Sequence, residues 1–313
     1  MAVPDSLILL QAERSKFTGA LVAPNTKSGY KYDQAAFALW ASQMDRSSLP
    51  ASVDTLGLWM TSMLVRGLKT STCGRRAAAV AHLHRTNGYP SPATDEIRSL
   101  LRGARRQRIE QVERVLPLAL EELRAISVLL VGDDTPVSIR NWAMLLTGFT
   151  GALRNSNTAA LLLADVEFSE KGATLKIRSS KADQEGRRAQ LIGLHHAKHS
   201  ETCPVIALKK WIERRGSFAG PLFSRFDGGQ RGRALLPERI GQIVQQCIRR
   251  IGLDSKLYGG HSLRSGFCTE AGQSGAGELL IAATTGHTDM STLRQYFRRR
   301  DAFAGNALGM SDL

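Results

Sequence analysis

Six side chains between residues 154 and 296 are of the kinds that attack on a phosphodiester requires: Arg154, Lys181, His261, Arg264, His287 and Tyr296. Two guanidiniums can fork onto the oxygens of a phosphate and neutralise charge that builds there. A lysine and two histidines can move or orient protons. A tyrosine can be the nucleophile, although a phenol with a pKa of about 10 needs a neighbouring base and positive charge to act near neutrality. Spacing ties the set together. Arg264 follows His261 by three residues, just after Gly259-Gly260, so both fall on one face near the start of a helix. Tyr296 follows His287 by nine residues, and Ser291 between them is a candidate N-cap. Of five tyrosines, Tyr258 and Tyr296 alone come after Arg154, and Tyr258, beside the glycine pair, reads as a packing or polyanion-contacting residue.

Many enzymes that cut phosphodiesters hold metal ions with clustered carboxylates. No acidic cluster surrounds these motifs in the sequence. The triplet His195, His196 and His199 has no cysteine or paired carboxylate close in sequence, so it reads as an exposed loop or a DNA-facing patch, and neither metal nor cofactor is expected.

In order and spacing, Arg154, Lys181, His261-Ser262-Leu263-Arg264, Gly286-His287 and Tyr296 resemble the tyrosine recombinase (phage integrase) family. The resemblance covers roughly the last two thirds of the chain by motif and the rest by pattern. It implies that Arg154 and Arg264 contact the scissile phosphate, that His261 accepts or relays the tyrosine proton, and that His287 donates to a phosphate oxygen and helps to position the nucleophile, Tyr296. It implies that Lys181 protonates the departing 5′ oxygen, with Lys176 and Lys171 as alternatives. One position departs from the family pattern. Three residues after the first arginine, where an acidic residue often supports the site, this chain has Asn157. An amide can accept a hydrogen bond but carries no charge, so that support is weaker or rerouted.

The implied activity is site-specific recombination through a 3′-phosphotyrosyl intermediate and a Holliday junction, by a homotetramer on paired double-stranded DNA sites with inverted repeats. Integration, excision, inversion and resolution all fit. Two alternatives share the residues: a type IB topoisomerase, or a DNA-binding protein whose catalytic set has decayed, against which the intact six argue.

These residues need elements to hold them. The helix face made by Ile139, Trp142, Leu145, Leu146 and Phe149 delivers the chain to Gly151 and Arg154. Strand candidates are Asp165 to Phe168, Ala173 to Arg178 and Ala189 to Leu194, the last two joined by a polar loop that carries Lys181. A helix opens at Pro204 through Leu208, Trp211 and Ile212, and another carries Ile240, Ile243, Val244, Cys247, Ile248 and Ile251. The first hundred residues read as helices alone: Tyr30, Phe37, Trp40 and Met44 mark one face, and Leu56, Trp59, Met60, Met63 and Leu64 a second. A third helix opens at Ser71 or Thr72, and a fourth follows Pro90 and Pro92 through Ile97, Leu100, Leu101 and Ala104.

The expected fold is therefore mainly α with a small antiparallel β-sheet. Residues 1–110 form an N-terminal helical bundle, 111–118 a linker, and 119–313 an α+β catalytic domain, and the resemblance implies that the tail of the last serves subunit contact. The resemblance implies a SAM-like core DNA-binding bundle and the simple two-domain Cre- or Xer-like type. Arg75, Arg76, Arg102, Arg105 and Arg106 of the bundle, with Arg178, Arg187 and Arg188 flanking the hairpin, are candidate DNA-backbone contacts.

Composition agrees with a polyanionic partner. The 313 residues hold 42 Lys plus Arg against 28 Asp plus Glu, a net charge of +14. No apolar run approaches the roughly 20 residues that span a bilayer, so no membrane partner is expected. The four cysteines are scattered without a C-x-x-C pair, which reads as reduced thiols in a cytoplasmic protein, and the resemblance implies a bacterial or phage-like one.

Overall fold

The computed structural model describes residues 24–108, 115–178, 189–225 and 232–286, with single positions at 10, 13, 290 and 293. The chain divides into two compact units, Met1–Val112 and Glu113–Leu313.

In the first unit, the described residues form four helices: α1 (Pro24–Gln43), α2 (Val53–Val65), α3 (Thr70–Thr86) and α4 (Asp95–Gln107). Their apolar faces close on a core of Phe37, Leu56, Trp59, Met60, Met63, Cys73, Val80 and Ile97, with the Phe37 and Trp59 rings 4.8 Å apart. Ser52 caps α2 by accepting from the Thr55 N–H. The expected cap of the third helix is displaced. It begins at Thr70, because the carbonyl of Lys69 already accepts from the N–H groups of Thr72 and Cys73, and no side chain caps it. The first face is also shorter than its pattern suggests, since Met44 lies beyond the end of α1 and is exposed. His84, fully buried, accepts from the Ala51 N–H at Nε2 and places Nδ1 2.8 Å from the Val80 carbonyl, so the imidazole staples α3 to the turn before α2.

The second unit is built around α6 (Pro136–Thr150), buried from Ser138 to Phe149. Thr135 caps it and Pro136 starts it. Around it lie α5 (Leu120–Val131), the short α7 (Asn155–Ala160), α8 (Pro204–Arg215), α9 (Pro237–Arg250), α10 (His261–Gln273) and α11 (Glu278–Thr285). Strands β1 (Val166–Ser169), β2 (Gly172–Ile177) and β3 (Gln190–His195) form an antiparallel sheet in that order, with Leu175 opposite both Val166 and Ile192. Ala173, Leu175, Ile177, Ile192 and Leu194 turn into the core, the period of two expected of a half-buried sheet. Gly172 (φ 143) must be glycine, because a Cβ there would overlap the Leu194 carbonyl.

The end of the stretch read as a linker is bound into this unit. Leu116 N–H donates to the Leu257 carbonyl (2.7 Å), Leu118 N–H to the Ser262 carbonyl (2.9 Å), and the Leu118 side chain is buried. An apolar side chain with a place in the core anchors backbone that its charged, proline-broken neighbourhood suggested was free.

Candidate active site

Arg154 stands at the N-cap of α7, where the chain leaves α6 through the tight turn Gly151-Ala152-Leu153. Ala152 in that turn is left-handed (φ 49), an unusual state for a residue with a Cβ, and it aims its carbonyl at α10. There Arg264, only 2% exposed, donates from Nη1 to the Ala152 oxygen at 2.7 Å. The two arginines, 110 positions apart in sequence, are thus built on elements that bond to each other. A guanidinium so buried needs acceptors for its N–H groups, and this carbonyl takes one of them and helps to set its direction.

A second contact joins the start of α7 to the start of α10. The amide of Asn155, next to Arg154, occupies the space that a Cβ on Gly260 would need, and its Nδ2 donates to the Pro237 carbonyl at 3.1 Å. Three chain segments meet at this one side chain, and His261, exposed at the first position of α10, follows directly from it. The helix is pressed in from its other side as well, since a Cβ on Gly266 would overlap the Leu118 carbonyl and crowd the Phe149 ring. His261 and Arg264 do stand in the first turn of one helix, but the single face expected for them divides by burial, the histidine being exposed and the arginine buried.

Tyr258 is a packing residue. It is 6% exposed and its hydroxyl donates to Glu122 Oε1 at 2.6 Å, while Oε2 of the same carboxylate accepts from the Ala119 N–H at the start of α5. Burial, reinforced by that bond and by the charge of Glu122, pushes the Tyr258 phenol up to about 12. Cys268, one turn beyond Arg264, is pushed up to about 11 by burial, against the opposing pull of the Arg264 charge.

Asn157 is half-buried and lines a small depression with Asp165, Lys176 and Arg178. The carboxylate there is Asp165, which is buried and accepts from Arg178 Nε at 2.6 Å and from the Leu162 N–H at 2.9 Å. Negative charge thus enters this neighbourhood eight residues later than the family pattern would put it. Lys176 is exposed on β2.

The bundle arginines fall into two groups. Arg75 and Arg76 both pair with the buried carboxylate of Asp33, and Arg76 also lies 6.0 Å from the centre of the Trp59 ring and donates to the Met63 sulfur. Arg102, Arg105 and Arg106 are exposed on α4, and the first two line a shallow groove with Arg98 and Asp95. Lys181, Arg187, Arg188, His287 and Tyr296 lie outside the described residues. Among the described residues, no group of three or more His, Cys, Asp or Glu side chains is placed to hold a metal, and no helix is long and apolar enough to cross a membrane. Sequence reasoning passed over Asn155, which carries no periodic or motif signal. It places Arg98 on the fourth helix beside Arg102 and Arg105, at spacing that puts them on one side, without counting it among the candidate contacts.

A model of the phage integrase family matches residues 112–302, and the chain belongs to that family, the tyrosine site-specific recombinases. Over 293 residues it is 31% identical to an integrase/recombinase XerD homolog of Selenomonas ruminantium, covering 91% of this chain and 85% of that one. It is 25% identical to tyrosine recombinase XerD of Bradyrhizobium diazoefficiens, covering 87% and 86% of the two chains. Its fold is shared with the Tn1549 transposon integrase solved with transposon right end DNA, at a TM-score of 0.62 and 15% identity over 93% of this chain and 94% of that one. The fold also matches XerH site-specific recombinase bound to its palindromic difH substrate, at a TM-score of 0.57 and 20% identity over 78% and 68%.

Proposed function

We propose that the protein cuts and rejoins double-stranded DNA through Tyr296. In the first transesterification the Tyr296 oxygen bonds to phosphorus as the bond to the 5′ oxygen breaks. His261 takes or relays the phenolic proton and Lys181 supplies one to the departing oxygen, so protons balance without an external reagent. Arg154 and Arg264 hold the two oxygens that are not displaced, and His287 donates to one of them. The freed 5′ hydroxyl of a partner strand then attacks the 3′-phosphotyrosyl link and releases the tyrosine. Bond energy stays in the protein–DNA link, so the cycle consumes neither ATP nor a cofactor, and its double use yields a Holliday junction.

The observation that carries this reading is the Arg264 to Ala152 bond, which ties the helix carrying Arg264 to the turn that leads into Arg154. The exposed arginines of α4 and the arginines that flank the hairpin supply DNA-backbone contacts, and the working form is a homotetramer on inverted-repeat sites in the cytoplasm. The names of the relatives favour recombination over topoisomerase activity. A nicked suicide substrate carrying the native site tests the chemistry. Wild-type protein becomes covalently attached and Tyr296→Phe does not; attachment that survives in the variant would remove Tyr296 as nucleophile.

A further inference from the structure

α11 ends at Thr285, two residues before His287, and its last carbonyls need donors that the helix itself cannot provide. Two of them find one side chain. Gln190 Nε2 donates to the Ala283 carbonyl at 2.8 Å and to the Thr284 carbonyl at 3.0 Å, from more than ninety residues away in sequence. Gly286 then turns the chain out of the helix in the left-handed conformation (φ 65, ψ 38), its N–H bonded to the Ala282 carbonyl at 2.8 Å. The remaining atom of the amide, Oε1, lies 3.0 Å from where a Cβ on residue 286 would sit. The glycine thus serves twice: it allows the turn and it leaves room for the amide.

Gln190 is also the first residue of β3, the strand that follows the segment containing Lys181 in the sequence. One amide therefore fastens the end of the β2–β3 ladder where Gln190 lies opposite Ile177 to the turn that leads into His287. We infer that Gln190 is a positioning residue, fixing the path of the chain into His287 relative to the β2–β3 hairpin; this rests on the roles proposed above for His287 and Lys181. The chemistry is specific to an amide. A carboxylate at position 190 would have no proton to donate and would meet the negative end of the helix, and asparagine is one methylene shorter. A lysine keeps donors and adds a charge of favourable sign.

The test compares wild type, Gln190→Glu, Gln190→Lys and Tyr296→Phe in single-turnover cleavage of the suicide substrate, at protein concentrations that saturate the DNA. Binding affinity and Tm are measured beside it. The expected result is a cleavage rate for Gln190→Glu lower by on the order of 10–100-fold, with affinity and Tm close to wild type, and recovery towards the wild-type rate in Gln190→Lys. Rates that match wild type in Gln190→Glu would overturn the inference alone. So would parallel losses of rate, affinity and Tm, which mark a structural prop. Failure of wild-type protein to form a Tyr296-dependent adduct would overturn the reading beneath it and this inference together.

Discussion

Arginines in the two units are held in opposite ways. In the second unit Arg264 is buried and bonded to a backbone carbonyl, so its direction is set by the main chain and its charge sits in a medium of low dielectric. In the first unit Arg102, Arg105 and Arg106 are exposed on α4, where Arg102 touches Ser99 and Arg105 reaches Thr70 at 3.4 Å. Arg75 and Arg76 fall between these extremes, paired to a buried carboxylate but partly open to water. A fixed guanidinium suits an oxygen whose charge changes during a reaction, because no reorganisation is needed at that moment. Loosely held ones suit a phosphate backbone that has only to be followed.

The sharpest way to break this contrast is Arg264→Ala. Cleavage of the suicide substrate should fall by roughly 10²–10³-fold, the usual cost of one preorganised donor, with binding much less affected. Arg264→Lys should recover little, since an ammonium cannot reproduce the planar fork. Equal losses of cleavage and binding would place Arg264 with the arginines that merely hold DNA.

Asp33→Asn comes next. It removes the charge that Arg75 and Arg76 share in the bundle, and should cost roughly 1–3 kcal/mol of stability in denaturant unfolding. An unchanged midpoint would mean that this pair is as loosely held as the arginines of α4.

A smaller effect is expected from alkali. Burial in the folded protein pushes the Tyr258 phenol up to about 12, whereas a tyrosine in the unfolded chain loses its proton near 10.0. The unfolded state therefore binds fewer protons in that window, and stability should decline as pH rises from about 10 to 12. Tyr258→Phe should flatten that part of the unfolding-midpoint profile. The smallest effect on stability belongs to Arg102→Ala and Arg105→Ala. Each should weaken DNA binding evenly across sequences and lower the slope of log affinity against log salt by about one, with Tm unchanged.

Much of the fold is written in local periodicity. The Leu56 to Leu64 face, the burial of α6 and all three strands follow from apolar spacing, because side chains packing against one core obey the geometry of their own element. Positions decided by contacts distant in sequence were less legible. The cap of α3 is Lys69 although two better capping residues follow it, and Leu118 sits among charged neighbours in sequence while its side chain is buried and its backbone bonds to α10. The site divides likewise. Spacing proposed His261 and Arg264 as a pair, but not that one would face outward and the other be bonded to Ala152, since that bond depends on a backbone turn built 112 residues earlier. Arg76 shows the limit of reading charge alone: its neighbours in sequence suggest a surface cation, while Asp33, Trp59 and Met63 reach it from other helices.

The Asn155 amide lying over Gly260 has a consequence for how this protein can vary. A methyl group at 260 needs the volume that the amide fills, and a smaller residue at 155 would make that room only by giving up the bond to the Pro237 carbonyl. The two positions are therefore epistatic. Gly260→Ala should be harmful in the present background and better tolerated beside Asn155→Ser, so in sequence space the route to any change at 260 passes first through 155.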